Sequence, residues 1–422
     1  MTFNFRNNQL EKWLKIRKYF HFDNRVSLDF AKKYVQDPDK IEEHAFLPFL
    51  KYIDIKPRYR SKEKKVSLKE RPILYAGHLD SHIYAWYSYQ LNHNYDKIIQ
   101  EQEINKSVLA YRSLGKCNID FSKEVFDEIE RRAPCTALAF DISGFFDNIN
   151  HQKLKQAWCQ VLGEAKLPLD HYKVYKSITK YSYVDLNNVF KEFEVTREEL
   201  QAKNRICSSQ EFRERVRGKG LIEKNKLTYG IPQGSPISAV LSNIFLIEFD
   251  KLMAQYAHCV DGVYRRYCDD ILWICPQEYA DFVKTLVDEE VRKCGETLFL
   301  NSDKTEICEF RIDNNNRFVG TPPLQYLGFT FDGQCRLLRS ETLARYYCKM
   351  KAAVRATVVA ALKSEASQVY RKSLYEKYSH LGRNNFITYA YRSAEGMKSQ
   401  AIRRQIRRHW KKLHKEIEKE LS

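Results

Sequence analysis

The stretch that decides the fold is Gly262–Cys275, GVYRRYCDDILWIC. Two runs rich in β-branched and aromatic residues flank a two-aspartate centre, Asp269 and Asp270. Such a pattern reads as a tight hairpin with both carboxylates at its tip. Adjacent like charges beside Tyr267, Ile271 and Leu272 are costly unless a cation offsets them. A second acidic interruption lies upstream in TALAFDISGFFDNINH, where an apolar strand over Thr136–Phe140 runs into Asp141. Three carboxylates delivered by neighbouring strands suit hard, oxygen-preferring Mg²⁺. A helix cap at Asp141 and an ordinary polar turn at Asp269–Asp270 are the structural alternatives.

Working outward, the strands around these aspartates alternate with helical stretches. HLDSHIYAWYSYQLNHNYDKII reads as a helix and another follows Asn150. The loop at Gly230 precedes a further helix, and Gln325–Phe331 is strand-like. Residues 1–56 read as short amphipathic helices, with Trp13, Ile16, Tyr19 and Phe20 at helical spacing. KPRYRSKEKKVSLKERP, Lys56–Pro72, reads as an exposed basic ribbon or loop. A long polar segment runs from about Lys166 to Lys226, and from Glu341 the chain is helical and increasingly basic.

Composition narrows the class of partner. The 422 residues carry a formal charge of +17, with a pI near 9.2. Such an excess suits a protein that neutralises phosphates better than a small-molecule enzyme. Eleven cysteines without a CxxC pair fit free thiols in a reducing compartment. With no secretory signal pattern and no apolar run of roughly 18 residues, the expectation is a soluble cytoplasmic protein without a membrane partner. Between Lys398 and Lys415 eight cations occur and no acid. Arg403, Arg404, Arg407, Arg408, Lys411 and Lys412 are the candidate nucleic-acid-binding residues, with Ile402, Ile406, Trp410 and Leu413 as the apolar side of one helix.

The ordered motifs resemble those of the reverse transcriptase family. FDISGFFDNI is similar to its motif A, GIPQGSPISAVLSNIFL to motif B and RYCDDILWI to its Tyr-x-Asp-Asp motif C. LNSDKTEI resembles motif D and QYLGFTF motif E, while KERPI and SVLAYR are similar to its fingers motifs. The resemblance spans roughly residues 56–331. It implies an α+β right-hand polymerase with fingers, an RRM/ferredoxin-like palm of antiparallel sheet plus helices, and a helical thumb. The implied layout is an N-terminal helical extension (1–56), fingers (57–133), palm with motif A (134–160), an insertion (161–228), palm with motifs B to E (229–338), and a basic helical thumb and arm (339–422).

The resemblance also implies roles. Asp141, Asp269 and Asp270, with the Ile142 backbone, would hold two Mg²⁺ ions, Mn²⁺ being able to substitute. Lys304 is a candidate general acid for the pyrophosphate. Lys65, Arg71 and Arg112 would grip the triphosphate of a deoxynucleotide, and Gln233 would line its pocket. Phe146 falls at the steric gate against a 2′-hydroxyl, with Phe145 as core. Tyr326, Leu327 and Gly328 would form the primer grip. Glycines 230 and 234 would let backbone approach substrate, and Ser235–Pro236 would open the following helix. Too few residues follow motif E for an RNase H domain beside a thumb. The implied activity is RNA-directed DNA synthesis on a structured non-coding RNA, yielding cDNA for anti-phage defence, as in the bacterial defence-associated reverse transcriptases and perhaps their second class. Rival readings are a retron-type enzyme making RNA-linked DNA, a template-independent nucleotidyl polymerase and a catalytically silent RNA-binding protein.

Overall fold

The computed structural model describes residues 13–60, 65–203, 205–364 and 369–421. Among the described residues twelve strands form three sheets. Strands β1 (Phe49–Arg60) and β2 (Lys65–Tyr75) make a long antiparallel hairpin. The central strand is β3 (Cys135–Asp141). Strand β4 (Ser182–Asp185) pairs parallel with β1, and β5 (Glu223–Lys224) closes that edge. Next come β6 (Val263–Tyr267), β7 (Asp270–Cys275), β8 (Glu306–Ile312) and β9 (Phe318–Thr321). With β3 they build a five-stranded antiparallel sheet in the order β6-β7-β3-β8-β9. Strands β10 (Leu324–Tyr326), β11 (Phe329–Phe331) and β12 (Arg336–Leu338) form a small meander.

Alternation along β3 and β7 divides the core in two. Leu138, Phe140, Ile271 and Trp273 bury against the helices His78–Glu101, His151–Leu162, Ser238–Phe245 and Ala280–Cys294. Ala137, Leu272, Ile274, Cys308 and Phe310 face the other way, onto the helix Asn118–Arg132, the meander and the helices after Phe386. Each large apolar side chain so buried contributes about 1.5–3 kcal/mol. A one-residue slip of β3 would exchange its two faces. The result is an α+β fold built on the five-stranded antiparallel sheet.

Several expectations are corrected. Trp13–Phe20 contains no helix; Trp13 and Phe20 are buried but Ile16 is 53 % exposed. Residues 1–12 of the expected helical extension lie outside the described residues; among those described the first helices are Leu28–Val35 and Pro38–Glu43, and β1 already begins at Phe49. Of the two readings of Lys56–Pro72, ribbon or loop, the structure takes the ribbon, most of the segment belonging to the β1–β2 hairpin. The long polar segment 166–226, left unassigned by its sequence, packs into the fold. Its Val184, Leu186, Val189, Leu200 and Phe212 share a core with Phe20, Phe22 and Leu50. The basic tail is two helices, Gln400–Ile406 and His409–Leu421. The second packs Leu413 and Ile417 against Met350, Val354 and Val358 of the helix Ser340–Lys363. Among the described residues no helix is long and apolar enough to cross a membrane.

Candidate active site

Strand pairing gathers the acidic residues. Asp141 ends β3 directly opposite Asp270, the first residue of β7. By alternation both continue the face of Ala137 and Leu272, toward the meander. Asp269 occupies the intervening turn, and its carbonyl accepts the Ile142 N–H at 3.1 Å. The turn is built on Cys268 at φ 61°, a conformation that costs a non-glycine residue free energy. Burial raises the Asp270 carboxyl to about 7, and the neighbouring Asp269 and Asp141 charges add to the effect. Asp270 keeps a solvent-exposed edge, so its rise reflects a crowded concavity rather than enclosure. The Lys304 ammonium lies 2.5 Å from Asp141 Oδ2 and supplies the nearest opposite charge. Among the described residues no three His, Cys, Asp or Glu side chains are gathered tightly enough to hold an ion as they stand. Ile142 is buried, its side chain in the core.

The motif A turn and the Gly230 loop pack together. Phe145 is 3 % exposed and belongs to the core, whereas Phe146 is half-buried with its ring 5.7 Å from that of Phe145. The Phe146 carbonyl accepts the Ile231 N–H at 2.9 Å. Gln233 donates its side-chain amide to Asp147 at 3.3 and 3.4 Å, and its carbonyl accepts the Leu74 N–H at 2.7 Å. The hairpin strand carrying Arg71 is thereby tied to the pocket. At both glycines backbone packs closely against backbone. At Gly230 (φ +87°) a Cβ would lie 2.9 Å from the Asp147 carbonyl oxygen, and at Gly234 (φ +111°) 2.8 Å from that of Leu74. Ser235 and Pro236 open a turn in which the Ser235 carbonyl accepts the Ser238 N–H at 3.2 Å, and the helix starts only at Ser238.

Arg71 is exposed on β2, opposite Asp54. Lys65 stands opposite Arg60 at the first residue of β2. Arg112 departs from expectation. Its guanidinium is buried, paired with Asp96 at 2.8 Å and donating to the Asn105 and Val108 carbonyls at 2.6 and 2.8 Å. It closes the loop after the long helix instead of facing a triphosphate. Tyr326 is buried at the end of β10, and Leu327 (φ 44°) and Gly328 (φ 94°) make the turn into β11. Burial, with Asp270 nearby, raises the Tyr326 hydroxyl well above its ordinary range. Arg403, Arg404, Arg407, Arg408, Lys411 and Lys412 are all exposed, the last with Nζ 4.1 Å from the Tyr347 ring centre.

Sequence reading passed over Asp147 and Asp250. Burial raises the Asp147 carboxyl, opposed by its bond from Gln233. Its position, one residue after the candidate gate, was the available signal.

The profile of the reverse transcriptase (RNA-dependent DNA polymerase) family matches residues 88–331. No protein of curated function matches the sequence. Similar solved structures include apo telomerase from Candida tropicalis truncated from its C-terminal domain, at 12 % identity and TM-score 0.41. That match covers 73 % of this chain, which spans only 59 % of the telomerase chain. Telomerase from Candida albicans in complex with a fragment of telomeric RNA matches at 13 % identity and TM-score 0.41, covering 96 % of this chain and 74 % of that one. With the family profile spanning more than half its length, over the very segments that carry the paired aspartates, the chain belongs to the reverse transcriptase (RNA-dependent DNA polymerase) family.

Proposed function

We propose that this chain is an RNA-directed DNA polymerase, a nucleotidyltransferase, working by a two-metal mechanism in which Asp141, Asp269 and Asp270, with the Ile142 carbonyl, hold two Mg²⁺ ions or Mn²⁺ in their place. The carrying observation is the register pair Asp141–Asp270, with the Asp270 carboxyl raised to about 7 by burial and by its like-charged neighbours. A donor set with that much surplus negative charge fits divalent cations, which would draw the carboxylates together. Such ions, when bound, would supply activation of a primer 3′-hydroxyl and charge stabilisation for the leaving pyrophosphate.

The chain's own groups do the positioning, on which phosphoryl transfer chiefly depends. Lys304 Nζ, beside Asp141, supplies a proton to the leaving group. Arg71 and Lys65 bind the triphosphate, arginine by its bidentate fork. Gln233, oriented by Asp147, lines the deoxynucleotide pocket, and Phe146 excludes a 2′-hydroxyl by clash. Tyr326, Leu327 and Gly328 support the primer end. Arg403, Arg404, Arg407, Arg408, Lys411 and Lys412 hold the phosphate backbone of the RNA template and DNA product. Domain limits follow the motifs: fingers from residue 57, palm from 134, thumb from 339.

The biological reading is cytoplasmic synthesis of cDNA from a partner non-coding RNA in anti-phage defence, resting on the motif resemblance to the defence-associated enzymes. Two measurements test these proposals. Purified protein should extend a primer only when RNA template and deoxynucleotides are both present; extension without template would favour terminal addition. Sequencing the RNA and DNA that copurify should return one dominant RNA and its complement. A random mixture would contradict a dedicated template.

A further inference from the structure

Arg266 lies on β6, just ahead of the aspartate turn, and is fully buried. Its Nε and Nη2 donate to Asp250 Oδ1 and Oδ2 at 2.7 and 2.6 Å. Its Nη1 donates to the Cys268 carbonyl at 3.0 Å and to Asn243 Oδ1 at 3.3 Å. Asp250 is also fully buried, on the helix Ile247–Cys259, and accepts the Tyr264 hydroxyl at 2.7 Å. Asn243, on the helix that follows the Gln233 loop, donates onward to the Ala110 carbonyl at 2.9 Å. The Arg266 backbone joins the same segment, its N–H bonding Ser107 and its carbonyl accepting from Leu109.

A buried ion pair adds little net stability over apolar residues of similar volume. This pair does something apolar residues could not. It aims a charged donor at the carbonyl of Cys268, the positive-φ residue that immediately precedes Asp269. Charge-assisted bonds to a buried carbonyl are among the stronger ones. The same fork spans to Asn243, so the aspartate turn and the helix behind the nucleotide pocket share one fixed hub.

We infer that Arg266, oriented by Asp250, is a positioning residue that holds the Asp269–Asp270 turn in register through the Cys268 carbonyl. The inference rests on the assignment of that turn to metal binding. Supporting groups of this kind change metal affinity or activity by about 10–100-fold when altered.

The test uses the full-length protein and three variants. Arg266→Lys keeps the charge and loses the fork. Arg266→Met with Asp250→Leu replaces the pair by apolar volume and serves if the lysine variant does not fold. Each is read by thermal unfolding, by calorimetric Mn²⁺ binding and by steady-state primer extension. A folded variant should lose about 10–100-fold in kcat and bind Mn²⁺ about tenfold or more weakly, with the KM for deoxynucleotide much less changed. A folded variant with wild-type kcat and Mn²⁺ affinity overturns the inference. Failure of both to fold also overturns it, by showing that the hub serves the fold. Asp269→Asn, run alongside, separates the two levels. If it retains activity and Mn²⁺ binding, the turn itself has been misassigned. If it loses both while the Arg266 variants do not, only the positioning role falls.

Discussion

Individual side chains here act through neighbours far away in the chain. Phe146 and Phe145 are adjacent and chemically identical, yet one lines the Gln233 loop half-buried and the other is core. Phe146→Ala should therefore raise ribonucleotide incorporation, scored as the ratio of kcat/KM for ribo- over deoxynucleotide, with little effect on folding. An unchanged ratio would move the gate elsewhere. Arg112 illustrates the opposite case. Its guanidinium is committed to Asp96 and two carbonyls, so Arg112→Ala should cost stability, about 2 kcal/mol in denaturant unfolding, without a matching rise in nucleotide KM. A selective KM rise would return Arg112 to the triphosphate. The three aspartates were legible because acid in apolar strand context is conspicuous. Arg112, Asp147 and the Arg266–Asp250 pair were not, since only folding reveals which partner each basic or acidic side chain meets.

Elements were readable where the pattern is local. The β6–β7 hairpin, β3 and the helix His78–Glu101 follow from alternation or sustained apolar content within one window. The parallel pairing of Phe49 with Tyr183 was not readable, because no local rule joins segments so distant. The helix His78–Glu101 begins where the sequence reading put it, but what caps it was not readable. Gly77 has no side chain to cap it, and Asp23 accepts the His78 and Leu79 N–H groups instead. At that end burial pushes the imidazoles of His78 and His82 down to about 4. Between pH 4 and the ordinary histidine value the unfolded chain binds more protons than the folded one, so stability should fall as pH drops below about 6.5 and level off near 4. Chemical unfolding from pH 7.5 to 4.5 checks the sign. A profile that does not flatten when both are replaced by glutamine would assign the dependence to other groups.

At the scale of the whole molecule, charge is distributed by task. One end of the five-stranded sheet gathers Asp141, Asp269 and Asp270, while the tail helices present exposed cations and bury Ile402, Ile406 and Leu413. The uniform sign was legible in the sequence; the division into two helices was not, because apolar spacing continues across the break at Arg407–Arg408. Replacing Arg403, Arg404, Arg407 and Arg408 by alanine should weaken binding to RNA–DNA hybrid regardless of sequence. It should also reduce the slope of log K against log salt by roughly one for each phosphate no longer neutralised. An unaltered slope would free this face of that role. The most direct measurement of the whole account is Mg²⁺-dependent primer extension on RNA by wild-type protein and by Asp269→Ala with Asp270→Ala, at matched folded concentration. The account predicts synthesis that EDTA abolishes in the wild type, and a loss on the order of a thousandfold or more in the variant. Undiminished synthesis by the variant would contradict it.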